Sequence, residues 1–124
     1  VNGTLNLIDL AIKQAIMKQS PIKFFFPSSV AVYGLNSKNT SPIKEEDSLS
    51  PKTIYGMNKL YCEQLGVYFS NSYHRLAKDY SADLLDFRAI RFPGLISMTT
   101  SPSGGTSDYI PEMLHACVIE KPYK

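Results

Sequence analysis

The chain has 124 residues, of which 44% are hydrophobic and 19% charged, and its formal net charge is +2. This length allows one domain with a modest core. The small charge surplus, without a cluster of Lys and Arg, argues against a dedicated nucleic-acid partner, and no apolar run is long enough to span a membrane.

The first predicted elements are a helix and a strand. Apolar residues at helical spacing predict an amphipathic helix over Asn2–Gln19. The Ser20-Pro21 pair ends this helix, because the residue before a proline is pushed out of the helical region. The compact apolar run Ile22–Phe26 predicts a buried strand, which opens at its C-terminal end into the segment Pro27-Ser28-Ser29.

A loop and a long helix are predicted next. The short apolar segment Val30–Tyr33 closes on Gly34, and the many Asn, Ser, Thr, Pro, Lys and Glu residues of 35–51 are typical of a surface loop. Either Ser50-Pro51 or Thr53 then starts a helix, which apolar periodicity extends to about Lys78. The loop therefore connects the end of the first strand to the start of this helix.

The second half contains one further strand and one further helix. Residues 81–85 are ambiguous, Asp86–Arg91 predicts a strand, and residues 97–107 are a loop rich in Ser, Thr, Gly and Pro. The last helix spans roughly Pro111–Glu120, with its proline in the first turn. Alternating helices and strands with loops at the strand ends are typical of an α/β fold.

The strongest local signal for chemistry is the pair of Tyr55 and Lys59. Residues four apart lie on one face of a helix, so the ammonium can sit close to the phenol. A free phenol titrates near ~10, and a nearby cation favours its ionised form, which can act as a base. Taken alone, this spacing is weak evidence, because it occurs by chance in many helices and then favours a solvated surface pair.

Ser28 and Ser29 strengthen this interpretation. They follow a buried strand at its C-terminal end, which is where open α/β sheets place their ligands. A helix cap or a turn is the alternative interpretation of the two serines. That alternative does not explain why a polar pair stands between two apolar segments.

Two segments, Pro27–Gly34 (Pro-Ser-Ser-Val-Ala-Val-Tyr-Gly) and Tyr55–Lys59 (Tyr-Gly-Met-Asn-Lys), resemble the active-site stretch of the extended short-chain dehydrogenases. That group includes the sugar-nucleotide epimerases and dehydratases. The resemblance implies a Rossmann-like, doubly wound parallel sheet and the cofactor NAD. It also implies that Ser29 is the catalytic serine, Tyr55 the general base, and Lys59 the lysine that binds the cofactor's ribose.

Two later segments, Arg91–Ser97 and Gly104–Tyr109, resemble the short-chain-type L-threonine 3-dehydrogenases within that family. This likeness implies that Thr106 and Asp108 help to hold an amino-acid substrate, whose ammonium the Asp108 carboxylate could balance. The alternative interpretation of this segment is a flexible loop that caps the last helix, with Ser107 or Asp108 as the N-cap. The residues that would lie against the nicotinamide are Pro93, Gly94 and Leu95.

Two features depart from the family pattern. Residues 73–85 form an insertion, and no Gly-x-x-Gly-x-x-Gly turn is present to hold a dinucleotide pyrophosphate. We therefore expect residues 1–124 to be a single partial domain, the catalytic middle portion of such an enzyme without its Gly-rich βαβ unit. We also expect the isolated chain to be weakly active or inactive.

The reaction implied by the resemblance is NAD-dependent oxidation of the 3-hydroxyl of L-threonine to 2-amino-3-oxobutyrate. The alternatives are a nucleotide-sugar epimerase or dehydratase and an inactive fragment. The resemblance also implies a homodimer through the helices 2–19 and 53–78. Because Cys62 and Cys117 lie in helical patterns without metal-ligand spacing, we expect a reduced cytoplasmic protein (mitochondrial in a eukaryote) without a metal site.

Overall fold

The computed structural model describes residues 1–35, 41–73, 83–97 and 108–123. The elements in these ranges, in chain order, are helix α1 (Asn2–Lys18), strand β1 (Ile22–Ser29), a 3₁₀ helix (Val30–Tyr33), helix α2 (Ile54–Asn71), strand β2 (Leu85–Phe92) and helix α3 (Tyr109–Val118). The strands β1 and β2 pair with each other in a two-stranded parallel sheet. The α/β fold predicted from the sequence is confirmed.

The chain divides into two compact units, Val1–Arg91 and Phe92–Lys124. In the first unit, α1 and α2 both pack against β1 and against each other. The second unit contains α3. The three predicted catalytic residues therefore belong to the first unit.

The core of the first unit lies between α1 and the sheet. The buried residues of α1 recur at helical spacing and are Ile8, Ala11, Ile12 and Ala15. Leu85 at the start of β2 joins this cluster, and the stacked rings of Phe24 and Phe87 pack against it with their centroids 5.9 Å apart. Burial of these apolar side chains stabilises the unit and packs α1 against the two strands.

The first helix has the predicted extent to within one residue. It ends at Lys18, because Gln19 adopts a left-handed conformation with φ 51° and ψ 40°. The backbone N–H of Gln19 is donated to the carbonyl of Ile16, and that of Ser20 to the carbonyl of Ala15. This C-cap satisfies carbonyl groups that the end of a helix would otherwise leave without a partner.

The second helix begins where it was predicted to begin but is shorter. Thr53 is its N-cap, and the helix ends at Asn71 rather than near Lys78. The prediction was wrong at this end because Ser72 leaves helical geometry, with φ −132° and ψ −10°. Residues 74–78 of the predicted helix lie outside the described residues.

The strands and the last helix differ slightly from their predicted bounds. The strand β1 continues through Ser29, three residues beyond the predicted end, so both serines belong to the strand. The strand β2 is one residue longer at each end than predicted, and α3 begins two residues earlier. Residues 74–82 of the predicted insertion lie outside the described residues. No helix in the described ranges combines the length and the apolar composition that crossing a bilayer requires.

Candidate active site

The two serines at the end of β1 have different surroundings. Ser28 is only 3% exposed, and its hydroxyl donates a hydrogen bond to the carboxylate of Glu63. Ser29 is half-buried and is the N-cap of the 3₁₀ helix, where its Oγ accepts a hydrogen bond from the N–H of Ala31 at 3.2 Å. The helix-cap interpretation of this pair is therefore correct for Ser29, whose hydroxyl hydrogen is still available as a donor.

The start of α2 lies directly against the 3₁₀ helix. The Thr53 side chain accepts a hydrogen bond from the N–H of Gly56 at 3.0 Å, which starts the helix. A Cβ atom on Gly56 would lie 2.5 Å from the carbonyl oxygen of Ala31, closer than real Cβ atoms come to a backbone atom. Glycine at position 56 therefore allows the close approach that brings Tyr55 to the same end of β1 as Ser29.

Lys59 completes the group of three predicted catalytic residues. Its Nζ donates a hydrogen bond to the carbonyl of Pro27 at 2.6 Å. The same atom lies 5.1 Å from the centre of the Phe26 ring and 5.6 Å from the centre of the Tyr55 ring. The ammonium of Lys59 and the ring of Tyr55 therefore lie beside each other on one face of α2. The structure thus brings Ser29, Tyr55 and Lys59 to one end of one strand.

A partly buried ion pair adjoins this group and was not predicted from the sequence. Glu63 is 5% exposed, and its carboxylate accepts hydrogen bonds from Nε and Nη2 of Arg91, which act together as a fork of two donors. The shortest of these contacts joins Nη2 to Oε2 at 2.8 Å. The hydrogen bonds from Arg91 to Glu63 raise the pKa of the guanidinium above its usual value, so Arg91 stays charged. The available signal was the spacing of Lys59 and Glu63, which places both on one face of α2.

Arg91 also binds the segment between β1 and α2. Its Nη1 donates to the hydroxyl of Tyr33 at 2.6 Å and to the carbonyl of Glu45 at 3.0 Å. The guanidinium carbon lies 4.9 Å from the centre of the Tyr33 ring, which is a cation–π distance. The 3₁₀ helix and the loop after it are therefore held to the end of β2.

The remaining predicted site residues belong to the second unit or lie outside the described residues. Asp108 is the N-cap of α3, and its carbonyl accepts a hydrogen bond from the N–H of Glu112 at 2.8 Å. The side chain of Asp108 makes no capping hydrogen bond, so it caps through its backbone alone. Thr106 lies outside the described residues. The exposed residues that follow β2 are Pro93, Gly94 and Leu95.

The class of protein follows from this arrangement together with a family comparison. Residues 1–79 match the family described as GDP-mannose 4,6 dehydratase. The match covers more than half of the chain and includes β1, the 3₁₀ helix and the whole of α2. The chain therefore belongs to this family of NAD-dependent epimerases and dehydratases, and the family predicted from the motifs is confirmed.

Individual relatives show which members of this family the chain resembles. The mitochondrial L-threonine 3-dehydrogenase of Bos taurus is 32% identical over 118 residues, which cover 95% of this chain and 27% of that protein. An uncharacterized epimerase/dehydratase of Staphylococcus aureus (strain USA300) is 35% identical over 125 aligned positions, which cover 99% of this chain and 33% of that protein. The chain thus spans about a third of the length of these curated relatives.

Solved structures give the same result. The L-threonine dehydrogenase of Clostridium difficile superposes with a TM-score of 0.75 at 35% identity, covering 100% of this chain and 34% of that one. The GalE-like L-threonine dehydrogenase of Cupriavidus necator superposes with a TM-score of 0.74 at 31% identity, covering 98% of this chain and 38% of that one. The predicted Rossmann-like fold is confirmed by these similarities.

Proposed function

We propose that this chain forms the catalytic part of a NAD-dependent oxidoreductase that oxidises the 3-hydroxyl of L-threonine to 2-amino-3-oxobutyrate. The observation that carries the proposal is the position of the Lys59 ammonium, which lies 5.6 Å from the centre of the Tyr55 ring at the C-terminal end of β1. The choice of substrate is supported by the L-threonine dehydrogenases, which align over nearly the whole chain.

The groups at the end of β1 fit NAD. An ammonium has three N–H donors, and Lys59 gives one of them to Pro27, which leaves donors for the hydroxyls of a ribose. The side chain of Tyr55 is 57% exposed, so a nicotinamide and a substrate can both reach its hydroxyl. When bound, NAD supplies the carbon that accepts a hydride. The turn at Pro93, Gly94 and Leu95 would lie against the nicotinamide, as the motif resemblance implies.

Each of the three residues has its own task in this reaction. Tyr55, in its ionised form, takes the proton from the 3-hydroxyl of threonine, while the hydrogen on C3 leaves as a hydride. Ser29 accepts from Ala31 with one lone pair, so its O–H can donate to the reacting oxygen and orient it. Lys59 binds the ribose and stabilises the phenolate of Tyr55 by its positive charge.

Recognition of the amino acid is assigned to the segment before α3. We propose that the carboxylate of Asp108 pairs with the ammonium of the substrate and that Thr106 donates to its carboxylate. The likeness of residues 104–109 to the L-threonine 3-dehydrogenases supports both roles. A carboxylate in a closed site is costly to leave without its partner, so substrates that lack the amino group should be rejected.

A side-by-side assay of NADH formation tests the substrate. The full-length protein is supplied with NAD and, separately, with L-threonine, 3-hydroxybutyrate or UDP-glucose. We expect NADH with L-threonine alone. A nucleotide-sugar epimerase or dehydratase is the second candidate function, because residues 1–79 match the GDP-mannose 4,6 dehydratase family and the Staphylococcus aureus relative is named as an epimerase/dehydratase. Conversion of UDP-glucose to another nucleotide sugar, followed by chromatography because these reactions form no net NADH, would favour it if L-threonine is not oxidised. That outcome would still leave Ser29, Tyr55 and Lys59 as the catalytic residues.

We further propose a homodimer through the outer faces of α1 and α2.

We also propose that the protein is found in a reducing intracellular compartment. Both cysteines are free thiols, with Cys62 buried and Cys117 exposed, which is typical of a reducing environment. The bovine and porcine relatives are named as mitochondrial proteins. Fractionation followed by thiol labelling checks the compartment, and an oxidised Cys117 would contradict it.

A further inference from the structure

Helix α2 holds the end of β1 at two successive residues. Lys59 donates to the carbonyl of Pro27, and the Glu63 carboxylate accepts from the hydroxyl of Ser28. Because Lys59 and Glu63 are four residues apart, they face the strand from one side of the helix. The next residue of β1 is Ser29, so these two contacts set where Ser29 stands relative to α2.

Arg91 fixes the Glu63 carboxylate in this position. Its Nε lies 3.1 Å and 3.2 Å from the two carboxylate oxygens, and its Nη2 lies 2.8 Å from Oε2. The planar guanidinium also holds Tyr33 and the carbonyl of Glu45. A fork of fixed shape can bind several groups in one geometry, which the single point charge of a lysine cannot do.

Stability alone does not account for an ion pair at this place. Removing two charges from water is costly, and an apolar pair of similar volume often stabilises a fold as well or better. The other end of α2 is tied to the sheet more simply, since the hydroxyl of Ser70 donates to the carbonyl of Leu85 at 2.7 Å. The ion pair is found at the end of α2 that carries Tyr55 and Lys59.

We propose that Glu63 and Arg91 are positioning residues for the reaction. They hold the end of β1, and with it Ser29, in register with the Tyr55 and Lys59 of α2, without touching the substrate themselves. The inference rests on the proposed function, because it gives these residues a task in that reaction. Its structural part, the restraint of residues 27–33 by Glu63, can be measured without any substrate.

The test compares two serine substitutions in the full-length protein. Ser28→Ala removes the hydrogen bond to Glu63 at the catalytic end of α2 and leaves the Glu63–Arg91 pair in place. Ser70→Ala is the matched control, because it removes one hydrogen bond between α2 and the sheet at the opposite end. A third variant, Arg91→Lys, keeps the positive charge but loses the fork. Arg91→Ala is avoided, because an unpaired buried carboxylate destabilises the fold.

Two measurements are made on each variant, namely steady-state kinetics across pH and local amide hydrogen exchange. A misplacement of about 1 Å can cost on the order of a hundredfold in rate, so we expect Ser28→Ala and Arg91→Lys to lower kcat by about tenfold or more. Their pH profile should keep the wild-type shape, because Tyr55 and Lys59 share one face of α2 and stay together when the contact to β1 is lost. Ser70→Ala should keep the wild-type kcat and pH profile.

Hydrogen exchange separates failure of this inference from failure of the proposed function. We expect faster exchange of residues 29–33 in Ser28→Ala and Arg91→Lys, and faster exchange only near Leu85 in Ser70→Ala. Exchange of residues 29–33 at the wild-type rate in Ser28→Ala would overturn the positioning role, whatever the enzyme oxidises. Equal loss of kcat in Ser28→Ala and Ser70→Ala would overturn it as well, because that outcome indicates a general structural role. A wild-type protein that ignores L-threonine contradicts the proposed function alone.

Discussion

The hydroxyl of Tyr55 is the group that takes the proton in the proposed reaction. Tyr55→Phe removes this oxygen and keeps the ring beside Lys59, so NAD binding should change little. Loss of a general base should lower kcat by about a hundredfold or more. The rate of NADH formation measures kcat, and quenching of protein fluorescence on titration with NAD measures NAD binding.

Tyr61 provides the matched control for this substitution. It lies on the same helix, its side chain is also about half exposed, and none of the catalytic contacts involves it. Tyr61→Phe should therefore retain wild-type turnover. Tyr55→Phe with wild-type turnover would rule out Tyr55 as the base, and weaker NAD binding without a fall in kcat would assign it to the cofactor instead.

Residue-level prediction succeeded where the geometry is local. Tyr55 and Lys59 share a helix face by their spacing, and Ser29 ends a strand whose apolar run is visible in the sequence. Glu63 and Arg91 were missed, since they are 28 positions apart and meet because β2 pairs beside β1. A contact of this kind depends on the sheet pairing, which a single sequence does not supply.

At the scale of elements, the contact between α2 and the 3₁₀ helix depends on Gly56. Gly56→Ala places a Cβ atom 2.5 Å from the carbonyl oxygen and 3.0 Å from the carbonyl carbon of Ala31, and both are backbone atoms that cannot rotate away. Such overpacking costs roughly 1–3 kcal/mol. We expect the free energy of unfolding, measured by denaturant titration, to fall by this amount and kcat to fall with it.

Gly3→Ala is the control for this substitution. Gly3 is also helical, and a Cβ atom there would meet nothing within 4 Å. Alanine should leave stability unchanged or raise it by up to about 1 kcal/mol, because glycine loses more backbone freedom in a helix. Equal stability of the Gly56→Ala and Gly3→Ala variants would contradict the close approach of α2 to the 3₁₀ helix.

The boundaries of the elements were predictable where a local residue type decides them. The Ser20-Pro21 pair restricts the end of α1, and Thr53 caps the start of α2 with its side chain. The C-terminal end of α2 was predicted too far along the chain, because the apolar periodicity that marks a helix gave no stop signal at Ser72. The strand β1 was predicted too short, because its apolar run ends at Phe26, whereas Pro27, Ser28 and Ser29 continue the strand and contact α2 through the Pro27 carbonyl and the Ser28 hydroxyl.

At the scale of the whole molecule, α1 and α2 each carry an exposed apolar stripe opposite the buried residues of the helix. The stripe residues, all about half exposed or more, are Leu7, Leu10 and Met17 on α1 and Met57, Tyr61 and Tyr68 on α2. Their spacing of three, four or seven residues gives each stripe one helix face. Three further apolar residues of α2 lie outside the stripe, since Phe69 packs against the core and Leu60 and Leu65 are half-buried.

An apolar surface of this kind on adjacent helices is suited to a second copy of the same surface, because a two-fold interface is self-complementary. We expect the full-length protein to sediment as a dimer at micromolar concentration. Leu10→Glu should shift it towards the monomer, since a twofold interface would bury the new carboxylate twice, each time without a partner. Val118→Glu on α3 is the control, because Val118 is 82% exposed and lies outside both stripes. A wild-type protein that sediments as a monomer would contradict the homodimer, as would equal effects of the two glutamate substitutions.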